Sequence, residues 1–139
     1  MGLSLTGLQR ALRPGDALAE LVPDRAITGG GDFALRIGDG DYELSGFAGG
    51  SHVHGSKAAV RELQRSSARY YQRPDQGHVA VDPDRRSLEG YALATELEKV
   101  EGDHWLWSGE VQAISPGFEL NDLGFLSRAD QVQVAGWLQ

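Results

Sequence analysis

Glu119 and Asp122 stand close together in "SPGFELNDLGF" (115–125), between Pro116-Gly117 and Gly124. Paired carboxylates can hydrolyse glycosides, one protonating the leaving oxygen while the other attacks or activates water. Carboxylates in a turn can also hold calcium. So short a span fixes neither an acid–base separation nor a full calcium loop. A rigid turn accounts for the same residues. Pro116 and Gly117 bend the chain, Asn121 and Asp122 bond the local backbone, and Phe118, Leu123 and Phe125 anchor it.

His52 and His54 would share a face on a strand, as metal ligands can. No spacing ties His78 or His104 to them, so they read as exposed or pore-lining histidines, with no metal and no cofactor assigned. Lys57, Arg61, Arg65, Arg69 and Arg73 crowd a segment whose one acid is Glu62. The first four recur at every fourth position, so a helix would carry them as one basic stripe. Gly31-Asp32 and Gly40-Asp41 hint at a calcium-binding repeat, but the offsets within each unit do not match. No phosphate-cradling glycine loop, nucleophile elbow or HExxH motif is present.

The elements that must position these residues are mostly strands. "DFALRI" alternates Phe33, Leu35 and Ile37 against Asp32, Ala34 and Arg36, and "GDGD" is a strong hairpin turn. "DYELSGFAGG" carries Tyr42, Leu44, Gly46 and Ala48 on one face, with Asp41, Glu43, Ser45 and Phe47 on the other. "SLEGYALATELEK" and "HWLWSGEVQAIS" repeat the pattern and predict a second long hairpin. A short strand is expected in "GHVAVDPDRRS", and a final one in "DQVQVAGWLQ". Ser56 is a candidate N-cap for a helix that Pro74 would stop. Residues 1–31, with Pro14-Gly15, Pro23 and Gly29 to Gly31, read as an irregular segment. Residues 32–139 read as the sheet, with a helical insertion at 55–73.

Alternation of this kind suits a soluble antiparallel sheet or a transmembrane barrel equally. In a barrel, Tyr42, Tyr91, Trp105, Trp107 and Trp137 would be interfacial aromatics. Trp105, Trp107 and Val111 would face lipid, and Glu110 and Gln112 the lumen. Composition narrows the classes. The 13 Lys and Arg against 20 Asp and Glu give a formal charge of −7, which argues against a general nucleic-acid binder. Cysteine is absent, so no disulfide or thiolate metal site can form. No apolar run approaches a membrane helix, and the first residues lack the pattern of an export signal.

"SPGFELNDLGF", with "LQRSSARYYQRPD" (63–75) and "LEGYALATELEKVEGDHW" (88–105), resembles the C-terminal region of domain-of-unknown-function family 5916. These are Gram-negative envelope proteins with a signal peptide, a family 9 type carbohydrate-binding domain and a long outer-membrane β-barrel region. The resemblance covers roughly residues 29–139. It implies an outer-membrane location for a parent protein, lipid as a partner, and carbohydrate or another small polar solute as ligand. The signal peptide, carbohydrate-binding domain and closing aromatic strand of that plan are missing, so a fragment is expected.

The expectation is therefore an all-β antiparallel meander of about six strands, part of an outer-membrane-type barrel, with one helical insertion. Asp41, Glu43, Glu96, Glu98 and Glu110 would line a lumen favouring cations and neutral solutes over anions. The basic segment would fold against them as a constriction or plug. Two rivals come from other classes: a carbohydrate-active enzyme using Glu119 or Asp122, and a soluble β-sheet interaction module.

Overall fold

In a computed structural model of the chain, described for residues 1–13, 15–75, 77–102, 104–120 and 126–139, the fold is all-β. One antiparallel sheet contains β1 (Gly2–Gln9), β2 (Arg25–Ile37), β3 (Tyr42–His54), β4 (Ser87–Lys99), β5 (Trp107–Ile114) and β6 (Gln131–Leu138). The strands pair in chain order, so the sheet is a meander, and it is not closed into a barrel. The helix α1 (Lys57–Arg65) interrupts it between β3 and β4.

The two ends of the meander differ. At one end β2 turns into β3 through Gly38, Asp39 and Gly40, all at positive φ, the conformation that Asp-Gly pairs supply cheaply. Residues 100–106 join β4 to β5 at that same end. At the other end lie the long connections 10–24, 55–86 and 115–130.

The first strand and the start of β2 lie where irregular chain was expected. Leu3 and Leu5 alternate with Ser4 and Thr6 over too short a stretch to stand out beside Pro14 and Pro23. Gly29 to Gly31 lie inside β2 rather than in a loop. Their bare backbone accommodates neighbouring side chains, because a Cβ on Gly30 would stand 2.9 Å from the Phe47 ring. Phe33 likewise covers Gly46, whose Cβ would fall 2.7 Å from that ring. The strand expected in residues 77–87 is absent before β4 begins at Ser87, and Val79 and Val81 pack against the core instead.

Register divides the strand residues between two faces. One face is covered at its long-connection end by α1 and by the chain after β5. There Ala26, Val53 and Leu88 pack with Val60 and Tyr71, and Ala92 packs with Phe118, Leu126 and Ala129. Burying each large side chain of this kind contributes about 1.5–3 kcal/mol. No second layer covers the other face among the described residues.

Candidate functional site

The bare face is apolar. Leu3, Leu35, Leu93, Val111, Val134 and Leu138 are among its exposed residues. All the exposed large hydrophobic side chains of the strands lie on it apart from Phe47 and Trp137. At its tight-turn end Tyr42 and Trp107 flank Lys99, with ring centroids 6.3 Å apart. At its long-connection end it becomes polar, with His52, Glu89, His54 and Arg25. The apolar stretch between these limits spans about eight residues per strand, roughly 26 Å at strand rise.

The covered face is polar where nothing lies on it. Arg36, Glu43, Glu98 and Ser108 form one cross-strand row, and Ser45, Glu96 and Glu110 form another. Glu43 is directly opposite Glu98, and Glu96 is directly opposite Glu110, an arrangement that costs stability by like-charge repulsion. Arg36 relieves one pair through Glu43 Oε2 at 3.3 Å, and Gln112 donates to Glu110. A shallow groove of about 260 Å³ runs past Asp32, Ser45, Glu96 and Glu110.

Four of the five acids expected to share a face therefore do so. Asp41 instead lies in the hairpin turn, where its carbonyl accepts from Val100 N at 2.8 Å. Trp107 and Val111 lie on the bare face, and Glu110 and Gln112 on the covered one, as the alternation requires. Two aromatic expectations need correction. Trp105 precedes β5 and belongs to no strand, and Trp137 is on the covered face beside Ser108.

Next to the acidic rows, towards the long connections, the covered face is lined by small residues and carries the turn that follows β5. Gly90 and Gly117 touch backbone to backbone. A Cβ on Gly90 would stand 2.1 Å from Phe118 N, and one on Gly117 would stand 2.1 Å from Glu89 O. Ser115 holds the start of this segment, bonding Tyr91 through its amide and its hydroxyl at 2.9 and 2.8 Å. Glu119 N donates to Ser51 Oγ at 2.8 Å, which ties the segment across to β3. Pro116, Gly117, Phe118 and Glu119 thus form a fixed turn seated on the sheet. Asn121, Asp122, Gly124 and Phe125, with Leu123, lie outside the described residues.

The helical segment lies beside this turn. Ser56 caps α1 by accepting from Ala59 N at 3.1 Å, and Ala59, Val60 and Gln64 face inward. Gln64, fully buried, exchanges two hydrogen bonds with the Asp82 backbone at 2.9 and 2.7 Å. The helix stops at Arg65, where Ser66 caps it and donates to Leu63 O at 2.8 Å.

The basic stripe is accordingly broken. Lys57, Arg61 and Arg65 lie on the exposed side of α1, while Arg69 and Arg73 come after it. Arg69 is buried to 2% exposure, with Nη2 2.6 Å from Glu119 Oε2. The same nitrogen donates to Phe118 O, and Nη1 reaches Ser66 Oγ. Lys57 pairs with Asp84 at 2.7 Å and Arg73 with Asp130 at 3.6 Å. The bonded Lys57 ammonium holds the Asp84 carboxyl below its ordinary range. Among the described residues, the acids that hold this segment are thus Asp84, Glu119 and Asp130, rather than Glu43, Glu96, Glu98 and Glu110 on the covered face. The pattern could not anticipate this, because Arg69 reaches Glu119 across 50 residues of chain.

Glu119 has 3% of its surface exposed. A general acid must reach a substrate oxygen within hydrogen-bond distance, and this carboxylate is instead turned inward onto Arg69. The histidines do not converge. His52 faces Glu89, His54 faces Asp24 and His78 faces Asp130, at 3.1, 2.9 and 2.9 Å. Among the described residues no group of three or more acids and histidines could hold a metal. No described helix is long and apolar enough to cross a membrane, which says nothing about strands. No family model, curated protein or solved structure matches the chain.

Proposed function

We propose that this chain forms part of the wall and the plug of an outer-membrane β-barrel that passes or binds small polar solutes. The bare apolar face carries this reading. Most of its large side chains are roughly half exposed or more, and fully burying one contributes about 1.5–3 kcal/mol. Lipid contact over the whole face would therefore be worth on the order of 10 kcal/mol. Soluble monomers rarely leave so large a contiguous apolar surface in water.

Other features support the same assignment. The opposite face is polar, as a lumen wall is. A lumen lined by its carboxylates favours cations and neutral solutes over anions. Tyr42, Lys99 and Trp107 are the residue types that settle at a membrane interface. The short connections correspond to periplasmic turns and the long ones to extracellular loops, so the plug closes the outer half of the lumen. Carbohydrate as the solute rests on the resemblance to family 5916 alone.

Spin labels test the assignment, and the lack of cysteine makes the background clean. Labels at Leu93→Cys, Val111→Cys and Val134→Cys should collide with oxygen in liposomes. Labels at Ala94→Cys, Gln112→Cys and Ala135→Cys should collide with a water-soluble nickel chelate. Alternation of the two signals along the strands is the expected result. A monomeric chain in buffer whose bare-face labels see only the nickel reagent would sink the proposal and favour a soluble interaction module.

A further inference from the structure

A second feature lies at the rim of the long-connection end, away from the carboxylate rows. Arg10 just beyond β1, Arg13 in the following connection, His54 at the end of β3 and Arg86 just before β4 line a cleft of about 470 Å³. Ser56, the N-cap of the nine-residue α1, completes this part of the wall. Small-ligand sites commonly have volumes of about 300–1,000 Å³.

The charge in this cleft opposes that of the chain. The protein carries −7, yet three arginines line this cleft. Asp24, the carboxylate among the described lining residues, is already engaged by His54 Nδ1 at 2.9 Å. Arg10 is braced by donating to Pro23 O at 2.8 Å. Neither Arg13 nor Arg86 has a carboxylate within ion-pair distance among the described residues. Arg13 and Arg86 lining one cleft favour an anion between them, and the guanidinium fork fits phosphate oxygens in pairs. The positive end of α1 adds to the same field.

We propose that the cleft binds a phosphate group through Arg13 and Arg86, with Arg10 and the α1 N-terminus supporting it. The cleft does not depend on the bare face meeting lipid, so it can hold if the barrel assignment fails. The phosphate belongs either to a free solute or to a lipid headgroup, and two probes separate these sources. The full chain is titrated calorimetrically at low salt with inorganic pyrophosphate, and separately with neutral detergent micelles carrying phosphatidic acid. The Arg13→Ala/Arg86→Ala variant is compared with Arg13→Lys/Arg86→Lys, after near-ultraviolet circular dichroism has matched both to the parent.

The alanine variant should bind about 10- to 100-fold more weakly, as expected when charge-assisted hydrogen bonds are lost. The lysine variant should keep part of the affinity, and added salt should weaken all binding. Binding of pyrophosphate identifies a free phosphate, and binding of the doped micelles alone identifies a headgroup. If neither probe binds the parent, or the alanine variant binds as well as the parent, the proposal is overturned.

Discussion

Arg69→Met removes the buried guanidinium while keeping much of the stem volume. The Arg69 side chain is fully buried and that of Glu119 is 3% exposed, with 2.6 Å between Nη2 and Oε2. Methionine leaves the Glu119 carboxylate in the same dry place without its cation, and it deprives the Phe118 carbonyl of a donor. Breaking one side of such a pair costs about 3–5 kcal/mol. At a urea slope of about 2 kcal/mol per molar, the midpoint should fall by roughly 2 M. The Arg69→Met/Glu119→Leu double variant removes both charges and should recover most of that loss, because an apolar pair spares both desolvation penalties. Urea titration in detergent micelles reads both effects, and amide exchange at Glu119 reports whether its bond to Ser51 survives. If Arg69→Met costs less than about 1 kcal/mol, or the two changes simply add, the pair is not what holds the 115–119 turn on the sheet.

Gly90→Ala should expel the turn from β4, since its Cβ would meet the Phe118 amide at 2.1 Å and backbone cannot step aside cheaply. Protease cleavage near residues 115–120 should then appear, with a loss at or above the roughly 1–3 kcal/mol of overpacking. Gly109→Ala on the bare face meets nothing within 4 Å and should be neutral or stabilising by up to about 1 kcal/mol; equal effects of the two changes would refute the contact argument. Burial pushes the Tyr71 phenol above its ordinary 10.0, against smaller opposing effects of Arg69 and Arg85. The folded state thus favours the neutral phenol, so its stability contribution is complete below pH 10 and is lost as pH rises through the folded pKa. Absorbance at high pH should show one late-titrating tyrosine that disappears in Tyr71→Phe, and an unchanged titration would contradict the burial.

Strand alternation was legible because a period of two survives at every position where one face is apolar. The hairpins read at 32–37/41–50 and 87–99/104–115 follow directly from it, as does the grouping of Glu43, Glu96, Glu98 and Glu110, although β5 begins only at Trp107. The first strand was not legible, because glycines and flanking prolines mimic a loop. Gly29 to Gly31 reveal their strand role only once Phe47 covers Gly30 on one face, and Leu5 and Leu3 cover Gly29 and Gly31 on the other. The segments covering the sheet were half legible: Pro116 and Gly117 announced a turn, and Ser56 announced a helix start. What joins the two is a contact between Arg69 and Glu119, and no local period encodes it. The helix end was missed for a related reason. Spacing alone would continue the stripe to Arg69, whereas Ser66 caps the helix and the left-handed backbone of Tyr70 redirects the chain.

The edges of the sheet make a second demand that is independent of the bare face. Exposed edge strands in soluble proteins are normally guarded by charges, proline or bulges, because their free amides and carbonyls invite pairing. Here β1 reads "GLSLTGLQ" and β6 reads "QVQVAGWL", with no charge and no proline in either. Their bare-face residues are also the most exposed of the strands. Leu3 and Leu5 are 91% and 78% exposed, and Val132 and Val134 are 73% and 76%, against 46% for Leu93 in the middle of the sheet. Further strands laid along β1 and β6 would satisfy the open backbone and cover these side chains together. Within lipid no other arrangement is tolerated, since unpaired backbone there costs several kcal/mol per group. Six strands are fewer than the roughly eight of the smallest membrane barrels. Under the barrel proposal, closure would need further strands beside both β1 and β6.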